Sequence, residues 1–244
     1  ARFSTEISQV PLDVVRESLA VARAAGIPTV LDFDVSPSDA LATLGDEATL
    51  FEVLGLVDLL KPSKAAVAEL LPEAGDDALL LARGLRERFG CQAVVVTDGE
   101  VGCAISADDY EGSIPALAAK PVDTTGAGDA FLGGLLVALS QGMDWEPAGR
   151  LANACGAACV EQMGAFPEDL AAARARVLEI HPAKDLRLRE LSASPGEVRP
   201  AQAAREMLEV GRAETQALAE RFTGLEFAKA VEAIERSRES GGRL

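Results

Sequence analysis

The stretch Val122-Asp123-Thr124-Thr125-Gly126-Ala127-Gly128-Asp129-Ala130-Phe131 leads from a short strand through a glycine-rich turn into a long apolar helix. Glycines at 126 and 128 let the backbone turn tightly and approach an anion. The free amides of Gly126, Ala127 and Gly128 would point at that anion, with the helix dipole behind them. Asp129, in the first turn, projects its carboxylate towards the same spot. A carboxylate beside an anion hole repels what the amides attract, so the arrangement is poorly suited to binding alone. It suits transfer: Asp129 accepts the proton of an attacking hydroxyl while the amides stabilise charge on a moving phosphoryl group. The plainer alternative is a first-turn carboxylate that only complements the dipole. Position and neighbours favour the catalytic reading.

Upstream of this turn, helices and apolar strands alternate. Leu12, Val15, Leu19 and Ala22 recur at helical spacing over about 11–25; Gly26-Ile27-Pro28 stops that helix, and 29–32 reads as a buried strand. The pattern repeats with a helix over 41–56, a strand at 57–60, helices over 64–71 and 78–89, and a strand at 93–97. Helices alternating with uninterrupted apolar strands imply an α/β fold whose parallel sheet is covered on both faces. After Gly99, residues 102–106 and 112–117 read as a hairpin at the sheet edge, and the chain returns as a strand at 121–123.

Downstream, helices are expected over 128–141, 146–163 and 167–177. Residues 181–200 mix Pro, Ser and alternating charge and read as a linker. Beyond it, 201–222 and 226–238 are amphipathic helices with apolar stripes that include Ala204, Met207, Leu208, Val231 and Ile234. A helical pair with no sheet partner cannot bury both stripes alone, so it packs back on the first domain or begins another.

Composition narrows the partners. A chain of 244 residues with 48% hydrophobic content is large enough to bury a core. Its formal net charge of −16 argues against nucleic acid or an anionic membrane surface as partner, since either calls for a basic face. ATP is not excluded by that charge, because backbone amides, a helix N-terminus and a magnesium ion make a local positive pocket. No apolar run approaches the ~20 residues of a membrane helix, and the N-terminus lacks a signal-peptide layout, which leads us to expect a cytoplasmic protein. Cys91, Cys103, Cys155 and Cys159 form no CxxC pair, and the only histidine is His181, so the cysteines read as buried small hydrophobes rather than metal ligands. A homo-oligomer is left open.

The run 123–131 resembles the C-terminal signature of the ribokinase or pfkB carbohydrate kinases, and Thr97-Asp98-Gly99-Glu100-Val101-Gly102 is similar to the Thr-x-Gly-x-x-Gly element which that family places shortly before it. The resemblance covers about 4–177. It implies a ribokinase-like three-layer α/β/α fold with a mostly parallel sheet over 1–180, followed by the linker and a C-terminal helical segment at 201–244. It further implies an ATP-dependent kinase, using Mg2+, that phosphorylates a hydroxyl of a small-molecule sugar or sugar acid. In that reading Asp129 is the base; Gly126, Ala127 and Gly128 form the anion hole; Thr97, Gly99, Gly102 and Thr125 line the ATP site; and Asn153 borders the adenine.

The sequence also departs from the family pattern. Where relatives carry Lys-Pro-Asn-x-x-Glu, it reads Lys61-Pro62-Ser63-Lys64-Ala65-Ala66, so the outer shell of the metal is weakened unless Glu69, one turn on, substitutes. The element Asp-x-Asn-x-Arg appears as Asp32-Phe33-Asp34-Val35-Ser36. Asp32 ends a strand at the carboxyl edge, where ligands of open α/β folds bind, and it either faces substrate or caps the next turn. The sequence opens at what resembles the middle of the family, so the sugar-pocket portion is expected to be missing. Residues 201–244 weakly resemble the lead-in to a sugar isomerase (SIS) domain. Two rival readings follow: a working sugar kinase, and a degenerate kinase kept as a nucleotide-binding scaffold; the SIS resemblance suggests a parent protein that joins such a domain to a phosphosugar isomerase or sensor.

Overall fold

The computed structural model describes residues 10–167 and 169–181. Most of the expected linker, both amphipathic helices beyond it and the resemblance to an SIS lead-in lie outside the described residues.

The strand signals resolve into one sheet of five strands: β1 (Val30–Phe33), β2 (Leu59–Pro62), β3 (Ala93–Thr97), β4 (Gly102–Ala107) and β5 (Glu111–Pro115), in the spatial order of the sequence. β1, β2 and β3 are parallel, and β4 runs antiparallel between β3 and β5, so four of the five strands point the same way. Helices connect and cover them: α1 (Leu12–Ala24), α2 (Pro37–Thr43), α3 (Glu47–Gly55), α4 (Lys64–Val67), α5 (Ala78–Phe89), α6 (Ala127–Ser140), α7 (Trp145–Val160) and α8 (Leu170–Ile180).

Side chains of a strand alternate between its faces, and here each face has its own helical layer. Leu60, Val94 and Val96 join Leu12, Leu50, Val53, Leu54, Leu81 and Leu85 in an apolar cluster beneath α1, α3 and α5. On the other face α7 lies flush against β4 and β5: a Cβ on Gly149 would stand 2.4 Å from Ile114 Cδ1 and 3.1 Å from Ile105 Cδ1. Helix α6 packs beside α7 through Phe131, Leu135 and Ala138, all buried. The described residues therefore form an α/β/α sandwich.

Three local expectations change. The helix expected over 41–56 is two, because Gly45-Asp46 interrupts it: Ser36 Oγ accepts from Asp39 N to start α2, and Asp46 accepts from Thr49 N to start α3. The helix expected over 64–71 is one α turn followed by a tighter 3-10 turn at Ala68–Leu70. The segment 121–123 is not a strand. It approaches α6 as irregular chain anchored on the end of α7, where Val122 N and Asp123 N both donate to Val160 O (2.7 and 3.2 Å).

Gly102 shows why the hairpin edge needs a glycine. Its φ of 121° lies outside the range of ordinary side chains, and a Cβ there would sit 2.1 Å from Ile114 O. Gly102→Ala is expected to lower stability by about 2 kcal/mol or more, measured by urea denaturation, whatever its effect on ligands.

Candidate active site

At the carboxyl ends of β1–β3 the alternation that buries apolar side chains turns polar on one face. Asp32 and Lys61 are register partners across β1 and β2, with Leu60 pointing to the opposite face into the apolar cluster. Lys61 Nζ donates to both oxygens of Asp32, at 2.9 and 3.0 Å. Lys61 is 0% exposed, whereas the Asp32 side chain keeps 26%. Burial pushes the Asp32 carboxyl above its ordinary value; the Lys61 ammonium opposes that shift, and the charges of Asp34 and Asp129 reinforce it. Asp32 is thus the one carboxylate paired with the Lys61 ammonium among the described residues. In the next row Ser63 bridges to Thr97, whose hydroxyl reaches Pro62 O at 3.4 Å.

The glycine-rich turn sits over this edge. Gly126 precedes α6 with φ 80°, and a Cβ on it would stand 2.6 Å from Ala165 Cβ, so residue 126 must be glycine on both counts. Ala127 N donates to Thr124 O at 3.2 Å. Gly126 N, Gly128 N and, one residue on, Asp129 N take no acceptor among the described residues, so two of the three amides expected are free. Asp129 follows, exposed on the first turn.

Asp123 clamps the turn. Its Oδ1 accepts from Thr125 N (3.0 Å) and Thr125 Oγ1 (2.7 Å), and its Oδ2 accepts from Gly164 N (2.9 Å). Those donors hold its carboxyl below the usual value, the Thr125 amide most of all. The Thr125 hydroxyl is thereby committed to Asp123, and the Cys159 thiol, raised by burial, donates to Thr125 O from below.

The other expected residues have these places. Gly99 opens a 3-10 turn with φ 51° directly after β3, and Gly102 lies behind that turn at the start of β4. Asn153 is buried, and its Nδ2 donates to the carbonyls of Ile114 (3.2 Å) and Pro115 (3.1 Å), tying α7 to β5. Glu69, the residue expected to substitute for the missing Glu, accepts from Ser38 N and Ser38 Oγ at the start of α2. Ser63 caps α4 through Ala66 N (3.3 Å), and Ala66 belongs to the apolar cluster. Lys64 bridges Asp98 (2.8 Å) and Asp76 (2.9 Å), fastening the turn after β3 to α4.

Sequence reasoning gave Lys61 no role. The available signal was a lysine inside an apolar strand, one residue after Leu60, and the β1–β2 register was needed to set it beside Asp32.

The Asp123 clamp has a pH signature. A depressed carboxyl contributes while it is ionised, and its contribution is lost as pH falls through its depressed value. Protection of the Thr125 and Gly164 amides from exchange, relative to an unstructured chain at the same pH, should persist through the ordinary carboxylate range in the wild type and be lost only below it, whereas Asp123→Ala should show little protection at any pH.

Comparison with known proteins accords with this geometry. A family model described as pfkB family carbohydrate kinase matches residues 7–170. Fructokinase-2 of Oryza sativa subsp. japonica is 34% identical over 162 residues, covering 62% of this chain and 46% of that protein. A nucleoside kinase of Burkholderia thailandensis, solved with inosine, superposes with a TM-score of 0.53 at 30% identity, covering 67% of this chain and 52% of that one. A ribokinase-like protein of E. coli, solved with ATP and Mg2+, gives 0.58 at 26% identity, covering 69% and 54%. The chain thus spans about half the length of the relatives it matches. Its sandwich is ribokinase-like, and with the family match running through both the sheet edge and the glycine-rich turn, the chain belongs to the pfkB family of carbohydrate kinases.

Proposed function

We propose that this chain carries the nucleotide-binding and phosphoryl-transfer part of an ATP-dependent carbohydrate kinase that phosphorylates a hydroxyl of a sugar or sugar acid. The observation that carries the reading is the meeting, at one end of an apolar helix, of two amides without acceptors and an exposed carboxylate. Gly126 N and Gly128 N, with the dipole of α6 behind them, bind the charge that builds on the transferring phosphoryl group. Asp129 takes the proton of the attacking hydroxyl. Thr97, Gly99 and Gly102 line the nucleotide side of the site, Thr125 steadies the loop from its bond to Asp123, and Asn153 holds the β5 end that borders the base.

Mg2+ fits this donor set as an ion held chiefly by the nucleotide phosphates, with Asp34 and Asp129 as the exposed carboxylates nearest the turn, and it would neutralise phosphate charge. The names of the relatives, a fructokinase and a nucleoside kinase, support a hydroxyl of a sugar or sugar-bearing acceptor. Residues 201–244 we read as the approach to an SIS domain, in a cytoplasmic protein that couples kinase and phosphosugar chemistry.

The test is calorimetry of this chain with Mg-ATP, alongside Asp129→Asn, followed by phosphoryl-transfer assays of the full gene product against sugars, sugar acids and nucleosides. Both forms should bind Mg-ATP with affinities within about threefold, and transfer should fall at least about a thousandfold in Asp129→Asn. Binding without transfer to any acceptor would favour the scaffold reading; failure of the wild type to bind would remove the nucleotide site.

A further inference from the structure

The glycine-rich turn takes its outer wall from the segment that joins α7 to α8. Gly164 N donates to Asp123 Oδ2 at 2.9 Å, and a Cβ on Gly126 would stand 2.6 Å from Ala165 Cβ and 2.7 Å from its Cα. The approach to the turn leans on the same place. Lys120 N donates to Glu161 Oε1 at 3.1 Å, one residue past the Val160 carbonyl that takes Val122 N and Asp123 N. All of these contacts come from residues 160–165, so the turn is held from outside only as firmly as that segment is.

Apolar packing does little to hold the segment. Met163 and Phe166 are 75% and 87% exposed, and α8, which follows, has no buried residue. The tie that α8 makes is ionic. Arg176 Nε and Nη2 donate to the two oxygens of Glu161 at 2.6 and 2.9 Å, and Arg176 Nη1 meets Glu179 at 2.9 Å, so the guanidinium is anchored on its own helix as well as on the end of α7. The two-pronged bond and the shelter of the Glu161 side chain set this pair apart from Arg150 and Glu146, an exposed pair within α7. Glu161 is also the C-cap of α7, where the negative end of the helix dipole disfavours a carboxylate. Arg176 reverses that preference: its hydrogen bonds foremost hold the Glu161 carboxyl below the ordinary value against the opposing effect of burial, and the Lys120 amide adds to them.

We propose that Arg176 is a positioning residue for phosphoryl transfer, holding the glycine-rich turn in place through Glu161 and making α8 the brace of the anion site. The role rests on the phosphoryl-transfer reading above. Arg176 acts only through others: it fixes Glu161, Glu161 fixes Lys120 and the end of α7, and Gly164 and Ala165 then meet Asp123 and Gly126 in one arrangement. Amides that stabilise a developing charge must keep their place as it appears, so a loosened brace lowers turnover more than ground-state binding.

The test compares wild type with Arg176→Met, Arg176→Lys and Arg174→Met, the last removing a positive charge from an exposed position of the same helix. Hydrogen exchange of this chain is read at one pH for the amides of Lys120, Thr125 and Gly164 and for those of Val94, Val95 and Val96 in β3; kcat and KM are measured on the full gene product. Arg176→Met should lower protection of the first three amides about tenfold or more while β3 stays within about twofold. It should lower kcat about tenfold and leave KM for Mg-ATP and acceptor within about twofold. Arg176→Lys should restore protection and kcat to within about threefold of wild type, and Arg174→Met should change neither. Protection lost in β3 together with the turn marks a merely structural role and overturns the proposal, as does unchanged turn protection or a raised KM with kcat intact. If Arg176→Met does not fold, Glu161→Gln, which keeps an acceptor for Lys120 N, carries the same comparison. A gene product that transfers phosphate to no acceptor removes the kinase reading and with it the role in transfer; protection lost only around the turn then keeps Arg176 as its brace, and unchanged protection overturns that too.

Discussion

The buried contact between Lys61 and Asp32 is the constraint on which the rest of the site depends. Two parallel strands set the partners side by side, and the ammonium then requires residue 128 to lack a side chain. Sheet and helix are thereby locked in one relation: the first turn of α6 cannot shift towards β2 without meeting Nζ, and Lys61 cannot lose Asp32 without leaving a bare charge in the interior. An interaction that would be a liability in an ordinary core fixes the position of the glycine-rich turn.

From the other side the turn is held by neutral and anionic hydrogen bonds. Asp123 ties Thr125 and Gly164 together, Ala165 fills the space where Gly126 has no Cβ, and the Cys159 thiol supports Thr125 O. The free amides of Gly126 and Gly128 thus belong to a loop held by the bonds of Asp123 and Cys159. That is the condition for electrostatic preorganisation: dipoles that stabilise a developing charge must not need to reorient when it appears.

Positions where the chain departs from its family's usual pattern have taken on supporting work. Ser63 caps α4, Ala66 enters the apolar cluster, and Glu69 closes the start of α2 through Ser38. Lys64 adds a bridge to Asp98 that fastens the turn following β3. These contacts stiffen the two loops that flank the strand ends and leave the carboxylates of Asp34 and Asp129 facing outward.

The sequence by itself determined the alternation of helices and strands, the place of the hairpin and the glycine-rich turn, because hydrophobic periodicity and the backbone demands of glycine are local and survive in one dimension. Helix α5 and strand β3 fall at the residues expected, since Asp77 and Gly90 cap the one and unbroken β-branched residues make the other. What 121–123 would become was not legible, because so short a segment pairs as a strand only if a neighbour offers a free edge, and here the carbonyl of Val160 takes the amides of Val122 and Asp123 instead. The same holds for Asn153, whose amide reads as a ligand contact until β5 presents two carbonyls to it, and for Ala127, whose amide the preceding turn consumes. Lys61 is the plainest case. Its meaning lies in a register partner 29 residues away and in a glycine that comes later still in the chain, and only tertiary structure brings those three residues within reach of one charge.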